Sequence, residues 1–140
     1  MIRKHTPKDL DTIMNIWQKA SSLAHPFLDA TFVEKVSHDM RTMYIPGSET
    51  WVFEEDSTIV GFISMIENEI GGLFVLPNYQ SKGIGTKLVH FIKGFHEELE
   101  VEVFVRNATG RAFYDKYGFK LMKSFMHAPS NNEVMRLKYK

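Results

Sequence analysis

The chain has 140 residues, 44% of them hydrophobic, with eleven Phe and five Tyr, which fits one globular domain over residues 1–140 rather than a disordered chain. Seventeen basic residues balance seventeen acidic ones, which argues against nucleic-acid binding through bulk charge. There is no cysteine, so disulfides, thiolate metal sites and a cysteine nucleophile are excluded.

In chain order, residues 2–5 are predicted as a short strand. Thr6 is a plausible N-cap with Pro7 in the first-turn position it tolerates. Leu10, Ile13, Met14 and Trp17 follow at helical spacing, so a first helix is expected to about residue 22, where His25-Pro26-Phe27 interrupts the pattern. A second helix is expected over 30–44, with Val33, Val36, Met40 and Met43 on one face and Pro46-Gly47 ending it. Strands over 50–54 and 58–66 flank Glu55-Asp56-Ser57, a hairpin turn. A third strand covers 69–76. The helix after it, over 82–97, buries Ile84, Leu88, Ile92 and Phe95. Residues 99–106 alternate with Val101, Val103 and Val105 on one side. A short helix over 108–117 stops at Gly118, a suitable C-cap. Two last strands, over 119–126 and 133–139, are joined by Ala128-Pro129-Ser130-Asn131-Asn132.

The order β-α-α-β-β-β-α-β-α-β-β predicts an α/β fold whose mixed sheet has helices on both faces. No apolar run approaches the ~20 residues of a membrane span, and the start Met-Ile-Arg-Lys-His-Thr-Pro lacks the apolar core of a signal peptide. No membrane partner and a cytoplasmic location are therefore expected.

The stretch 74–86, Phe-Val-Leu-Pro-Asn-Tyr-Gln-Ser-Lys-Gly-Ile-Gly-Thr, carries the chemistry. An apolar strand stops at Pro77, a polar turn follows, and a helix starts at once. Gly83 and Gly85 let the backbone turn tightly with its N–H groups uncovered. First-turn N–H groups lack helical partners and lie at the positive end of the helix dipole, so the segment reads as a phosphate or pyrophosphate cradle.

Gln80-x-x-Gly83-x-Gly85 after a strand resembles the Arg/Gln-x-x-Gly-x-Gly/Ala signature of the GNAT superfamily of acetyl-CoA-dependent N-acetyltransferases. Asn107, then Phe113-Tyr114, then Gly118-Phe119, resembles the family's second signature, and the element order matches over the whole chain. His25-Pro26-Phe27 further resembles a subgroup of small bacterial members.

The resemblance implies a fold with splayed central strands and acetyl-CoA as co-substrate, with no metal. It implies that the backbone of Gln80, Ser81, Lys82, Gly83, Ile84, Gly85 and Thr86 binds the pyrophosphate, with Lys82 and Lys87 as candidates to add charge or simply to be solvated. Leu73, Phe74 and Val75 would pair with the pantetheine arm as a strand does, and an N–H near Leu73 or Phe74 would meet the thioester carbonyl. Tyr114 would give a proton to the departing thiolate, and Asn107 would bond the pantetheine or act as a cap.

Glu69, eleven residues before Gln80, stands where some members carry a catalytic base; Glu67, water, His25 and His127 are alternatives. His25 and Phe27 are candidate acceptor contacts. The implied reaction is direct acetyl transfer to an amine, on a protein lysine, an N-terminus or a small molecule, by a monomer or homodimer. The rival reading is a CoA-binding regulatory module without catalysis.

Overall fold

The computed structural model describes residues 1–140. Strand β1 (Ile2–Lys4) leads through a turn of 3-10 helix into α1 (Leu10–Ala24). The Asp9 carboxylate accepts from the Thr6 backbone N–H at 2.7 Å and from its hydroxyl at 3.2 Å, so Asp9 fixes the helix entry that Thr6 alone was expected to make. Helix α2 (Ala30–Asp39) has an N-cap in Asp29, whose side chain accepts from the N–H groups of Thr31 and Phe32. It runs on into a wider turn over Met40–Tyr44, where the Ile45 N–H donates to the Met40 carbonyl five residues back. That extra residue rotates Met43 out to solvent, 64% exposed, and puts Ile45 in the core at 1%. The expected place of Met43 on the buried face is therefore corrected.

Strand β2 (Glu49–Glu55) turns back on β3 (Thr58–Ile66) through Asp56 and Ser57, both at positive φ, the conformation that matches hairpin twist. Strand β4 (Glu69–Val75) continues antiparallel to β3. Helix α3 (Ile84–Lys93) then crosses to β5 (Leu99–Phe104), which is parallel to β4. Helix α4 (Ala108–Tyr117) ends at Gly118, φ 118°, and leads to the hairpin of β6 (Lys120–His127) and β7 (Asn132–Tyr139). The sheet order is β1-β2-β3-β4-β5-β7-β6, so β7 inserts between β5 and the edge strand β6.

Helix α3 is shorter than its apolar pattern predicted. It stops at Gly94, and the Lys93 ammonium donates to the carbonyls of His96 and Glu97. Phe95 therefore leaves the helical stripe, is 61% exposed, and stacks on Trp51 at 6.0 Å. Ile84, Leu88 and Ile92 are buried as expected, each contributing about 2 kcal/mol of hydrophobic burial. They belong to the core under α3 and α4, with Val101, Val103 and Tyr114. A second core, under α1 and α2, joins Ile13, Ile16 and Trp17 to Val52 and Phe62. Beside it the Thr50 and Ser64 hydroxyls, both fully buried, satisfy each other at 2.8 Å.

The feature that positions the site is where pairing stops. Strands β4 and β5 pair only at Glu69 with Glu100 and Ile70 with Val101. From Gly71 onward the two strands have no ladder between them, and the sheet is split along its middle.

Candidate active site

Along β4 the hydrogen-bond phase decides which groups face that split. The Leu76 N–H donates to the Val60 carbonyl at 2.8 Å, and bonded and unbonded pairs alternate along an antiparallel ladder. Phe74 is thus bonded to Phe62, while Leu73 and Val75, opposite Ile63 and Gly61, turn their N–H and C=O groups away from β3. The Val75 carbonyl is met there by the Gln80 side-chain amide at 2.9 Å. Gln80 thus engages the strand through its side chain, and its backbone N–H donates to Pro77. The Phe74 side chain packs on the α1 side against Phe62, at 5.7 Å between rings.

The turn after β4 leaves a run of donors without acceptors. Gln80 is the last residue whose N–H is bonded before the helix, and Lys87 is the first to make a helical bond, to Gly83 at 3.0 Å. The six consecutive amides of Ser81, Lys82, Gly83, Ile84, Gly85 and Thr86 donate to no acceptor in the protein. Ser81 and Gly83 are both left-handed, φ 64° and 84°, and a Cβ added to Gly83 would meet nothing within 4 Å. Gly85 has a different reason: its Cβ would stand 3.2 Å from the Phe113 ring, so its smallness seats α4 against α3. Lys82 lies over the Tyr79 ring at 5.2 Å and Lys87 over Phe53 at 5.9 Å. Uncovered amides at a helix start suit a phosphate-bearing cosubstrate. On the α1 side of the same turn a cleft of about 560 Å³ opens between Lys19, Leu23, Pro77 and Tyr79.

Tyr114 is buried in the core under α3 and α4, its ring 5.1 Å from both Phe113 and Phe119. Its hydroxyl has no partner in the protein, yet no buried polar side-chain atom is left unpaired, so the oxygen itself reaches solvent. Burial raises the phenol's pKa well above the ordinary tyrosine value.

Asn107 caps α4: its carbonyl oxygen accepts from the Gly110 N–H at 2.9 Å, and a Cβ on Gly110 would come within 2.5 Å of its amide nitrogen. That fixes the amide's orientation, so its NH₂ donates to His25 Nε2 at 3.1 Å. His25 is then the tautomer with a proton on Nδ1, which meets the Ser21 hydroxyl at 3.1 Å. Burial among apolar rings pushes the His25 imidazole down to about 4, so it is neutral at physiological pH with its lone pair in use. Phe27 packs edge-on to His25 and Phe104, and the Arg106 guanidinium lies 4.7 Å over its ring. His127 joins the same group through Phe104 and Phe32.

Glu69 lies at the closed end of the split, with one carboxylate oxygen 3.1 Å from the Arg136 guanidinium. The same guanidinium pairs with Glu100 and Glu102, each at 2.7 Å. Since Val101 and Val103 point into the core under α3, Glu100, Glu102 and Phe104 fall on the α1 face of the sheet. Three carboxylates around one guanidinium give that face a negative floor with aromatic rings at its end. Sequence reasoning missed Arg136 and Tyr44, whose hydroxyl lies against Gly71. A glycine inside a strand was the available signal for the second.

Residues 46–121, more than half of the chain, match the family model described as an acetyltransferase (GNAT) domain. The chain is 30% identical over 123 residues to the peptidyl-lysine N-acetyltransferase YiaC of Escherichia coli K12, covering 87% of this chain and 84% of that one. It is 27% identical over 121 residues to the peptidyl-lysine N-acetyltransferase YjaB of the same organism, covering 86% and 82%. The solution structure of apo YjaB from Escherichia coli shares the fold with a TM-score of 0.89 at 25% identity, over 99% of this chain and 96% of that one. The PaiA N-acetyltransferase of Thermoplasma acidophilum, crystallised with coenzyme A, shares it with a TM-score of 0.80 at 22% identity, over 99% and 98%. The chain belongs to the GNAT family of acetyltransferases, and its chemistry is acetyl transfer from acetyl-CoA to an amine.

Proposed function

We propose that this chain moves the acetyl group of acetyl-CoA directly onto the side-chain amine of a protein lysine. The observation that carries the cosubstrate side is the run of six unpartnered amides beside an unpaired strand edge. Acetyl-CoA supplies an activated thioester, and the chain binds and orients it. The amides of Ser81 to Thr86 hold the pyrophosphate, and the Leu73 carbonyl and Val75 N–H pair with the pantetheine amides. The Leu73 N–H rather than that of Phe74 donates to the thioester oxygen as charge builds there, because Leu73, unlike Phe74, faces the split. Tyr114, held protonated by burial, donates a hydrogen bond to the departing sulfur. Asn107 acts by position: it locks the start of α4, and Tyr114 with it.

One observation favours a protein lysine as acceptor, and a second favours a cationic amine. The relatives YiaC and YjaB are named as peptidyl-lysine enzymes. The floor of Glu69, Glu100 and Glu102 favours an incoming ammonium over a neutral or anionic group. In this reading Glu69 draws the acceptor in and water takes the proton. We read residues 1–140 as one catalytic domain working in the cytoplasm.

Isothermal titration with acetyl-CoA, followed by thiol-release assays on lysine peptides and on small amines, tests the proposal. Binding with turnover on peptides is expected. Release with small amines alone would overturn the protein acceptor, and an absence of acetyl-CoA binding would overturn the site.

A further inference from the structure

We propose that the Tyr44 hydroxyl is the hydrogen-bond partner of the incoming amine, held over the bare backbone of β4 at the mouth of the split. This rests on the lysine-acceptor reading and names the residue that positions the acceptor.

The first observation is steric. A Cβ built on Gly71 would fall on the Tyr44 hydroxyl oxygen itself, so any other residue at 71 displaces the phenol. Glycine in a strand interior costs order and packing, and close approach of another group is a recognised reason to keep one. The second is the sheet register. Pairing with β3 passes from Ser64–Gly72 to Met65–Ile70, so Gly71 is the extra residue of a bulge, opposite no partner. It is also the first residue of β4 past the last pair with β5. Although it lies within a central strand, Gly71 is exposed, which means the split is open to solvent there.

The third observation is how Tyr44 gets there. It ends the wide turn after α2, where the Ile45 N–H reaches back five residues to Met40. Such insertions occur preferentially at functional sites. This one turns the phenol toward β4 while Ile45, next in sequence, is anchored in the core. The hydroxyl has no hydrogen-bond partner in the protein and retains contact with solvent. Burial and the nearby Glu69 charge both raise the phenol's pKa, so it stays a neutral hydroxyl.

These placements set a short line along the strand. Glu69 and Leu73 flank Gly71 by two residues each, about 7 Å of strand on either side. An ammonium drawn toward Glu69 passes the Tyr44 oxygen before it reaches the carbonyl held at Leu73. With its proton lost to water, the amine keeps an N–H to donate to that oxygen, leaving its lone pair free for the thioester carbon.

Steady-state kinetics on the full chain with acetyl-CoA and a lysine peptide test this. Tyr44→Phe keeps the ring and removes the oxygen. It should lower kcat/KM for the peptide about tenfold, the size of one hydrogen bond, with the KM for acetyl-CoA and the melting temperature unchanged. Gly71→Ala, which expels the phenol, should lower the peptide's kcat/KM at least as far. Peptide kinetics of Tyr44→Phe within twofold of the wild type would overturn the proposal, whatever Gly71→Ala does. So would equal losses for peptide and acetyl-CoA, which mark a scaffold. A wild type that binds acetyl-CoA but acetylates no peptide would instead overturn the lysine reading on which this rests.

Discussion

The Tyr114 ring is packed between Phe113 and Phe119, and burial raises the phenol's pKa so far that the proton stays on oxygen at any physiological pH. In the proposed reaction a phenol so placed would stabilise the thiolate by hydrogen bonding without giving its proton away. Tyr114→Phe preserves the ring and should cut kcat about a hundredfold while leaving acetyl-CoA affinity, read by titration calorimetry, unchanged. A fall in affinity equal to the fall in rate would reassign the hydroxyl to cosubstrate binding. Asn107 allows a second test at the same scale. Asn107→Asp keeps the cap to Gly110 and replaces the donor facing His25 Nε2 with a carboxylate. An adjacent negative charge favours the imidazolium, so the His25 pKa should rise from about 4 toward or past 6.5 in an NMR titration. An unmoved titration would mean that Asn107 does not hold His25 in solution.

Among the elements, the turn from β4 into α3 was the most legible, because its geometry is local. Gly83 adopts φ 84° and its missing Cβ would meet nothing, so backbone conformation alone explains the glycine. Gly83→Ala should therefore cost about 1–2 kcal/mol in denaturant unfolding, the price of a left-handed L-residue, and Gly83→Asn less. Gly47→Ala is the control: its Cβ space is equally open at an ordinary φ, and it should be neutral or slightly stabilising. Equal losses at both positions would remove the left-handed turn as the cause. The hairpin at Asp56-Ser57 and the stop at Gly118 were readable for the same local reason. What stayed hidden is non-local. Arg136 gathers Glu69 from 67 residues away. The insertion of β7 between β5 and β6 brings it there, and no periodicity records that strand order. The wide turn at Met40–Tyr44 was hidden because an extra residue in a helix leaves the apolar spacing almost unchanged while moving Met43 out and Tyr44 onto Gly71.

Across the whole molecule α1 is fastened at both ends, and acid should release the two ends in order. At its start, Asp9 pairs with Arg3 of β1, which holds the carboxyl down to about 2. At its end, His25 joins Ser21 to Asn107 at the head of α4, on the far side of the split from β1. His25 is depressed by burial from 6.5 to about 4. The unfolded chain therefore binds this proton first, and stability that is full above pH 6.5 drains away as pH falls toward 4, by about 3 kcal/mol. Asp9 is depressed from 3.8 to about 2, so its contribution is complete above 3.8 and is lost only between there and 2. The end next to Asn107 loosens first. Urea unfolding at a series of pH values measures this directly. His25→Gln should flatten the decline between pH 6.5 and 4 relative to the wild type while leaving the Asp9-dependent loss below 3.8 in place. A wild-type curve as flat as that of the variant would mean that His25 takes its proton without giving up Asn107.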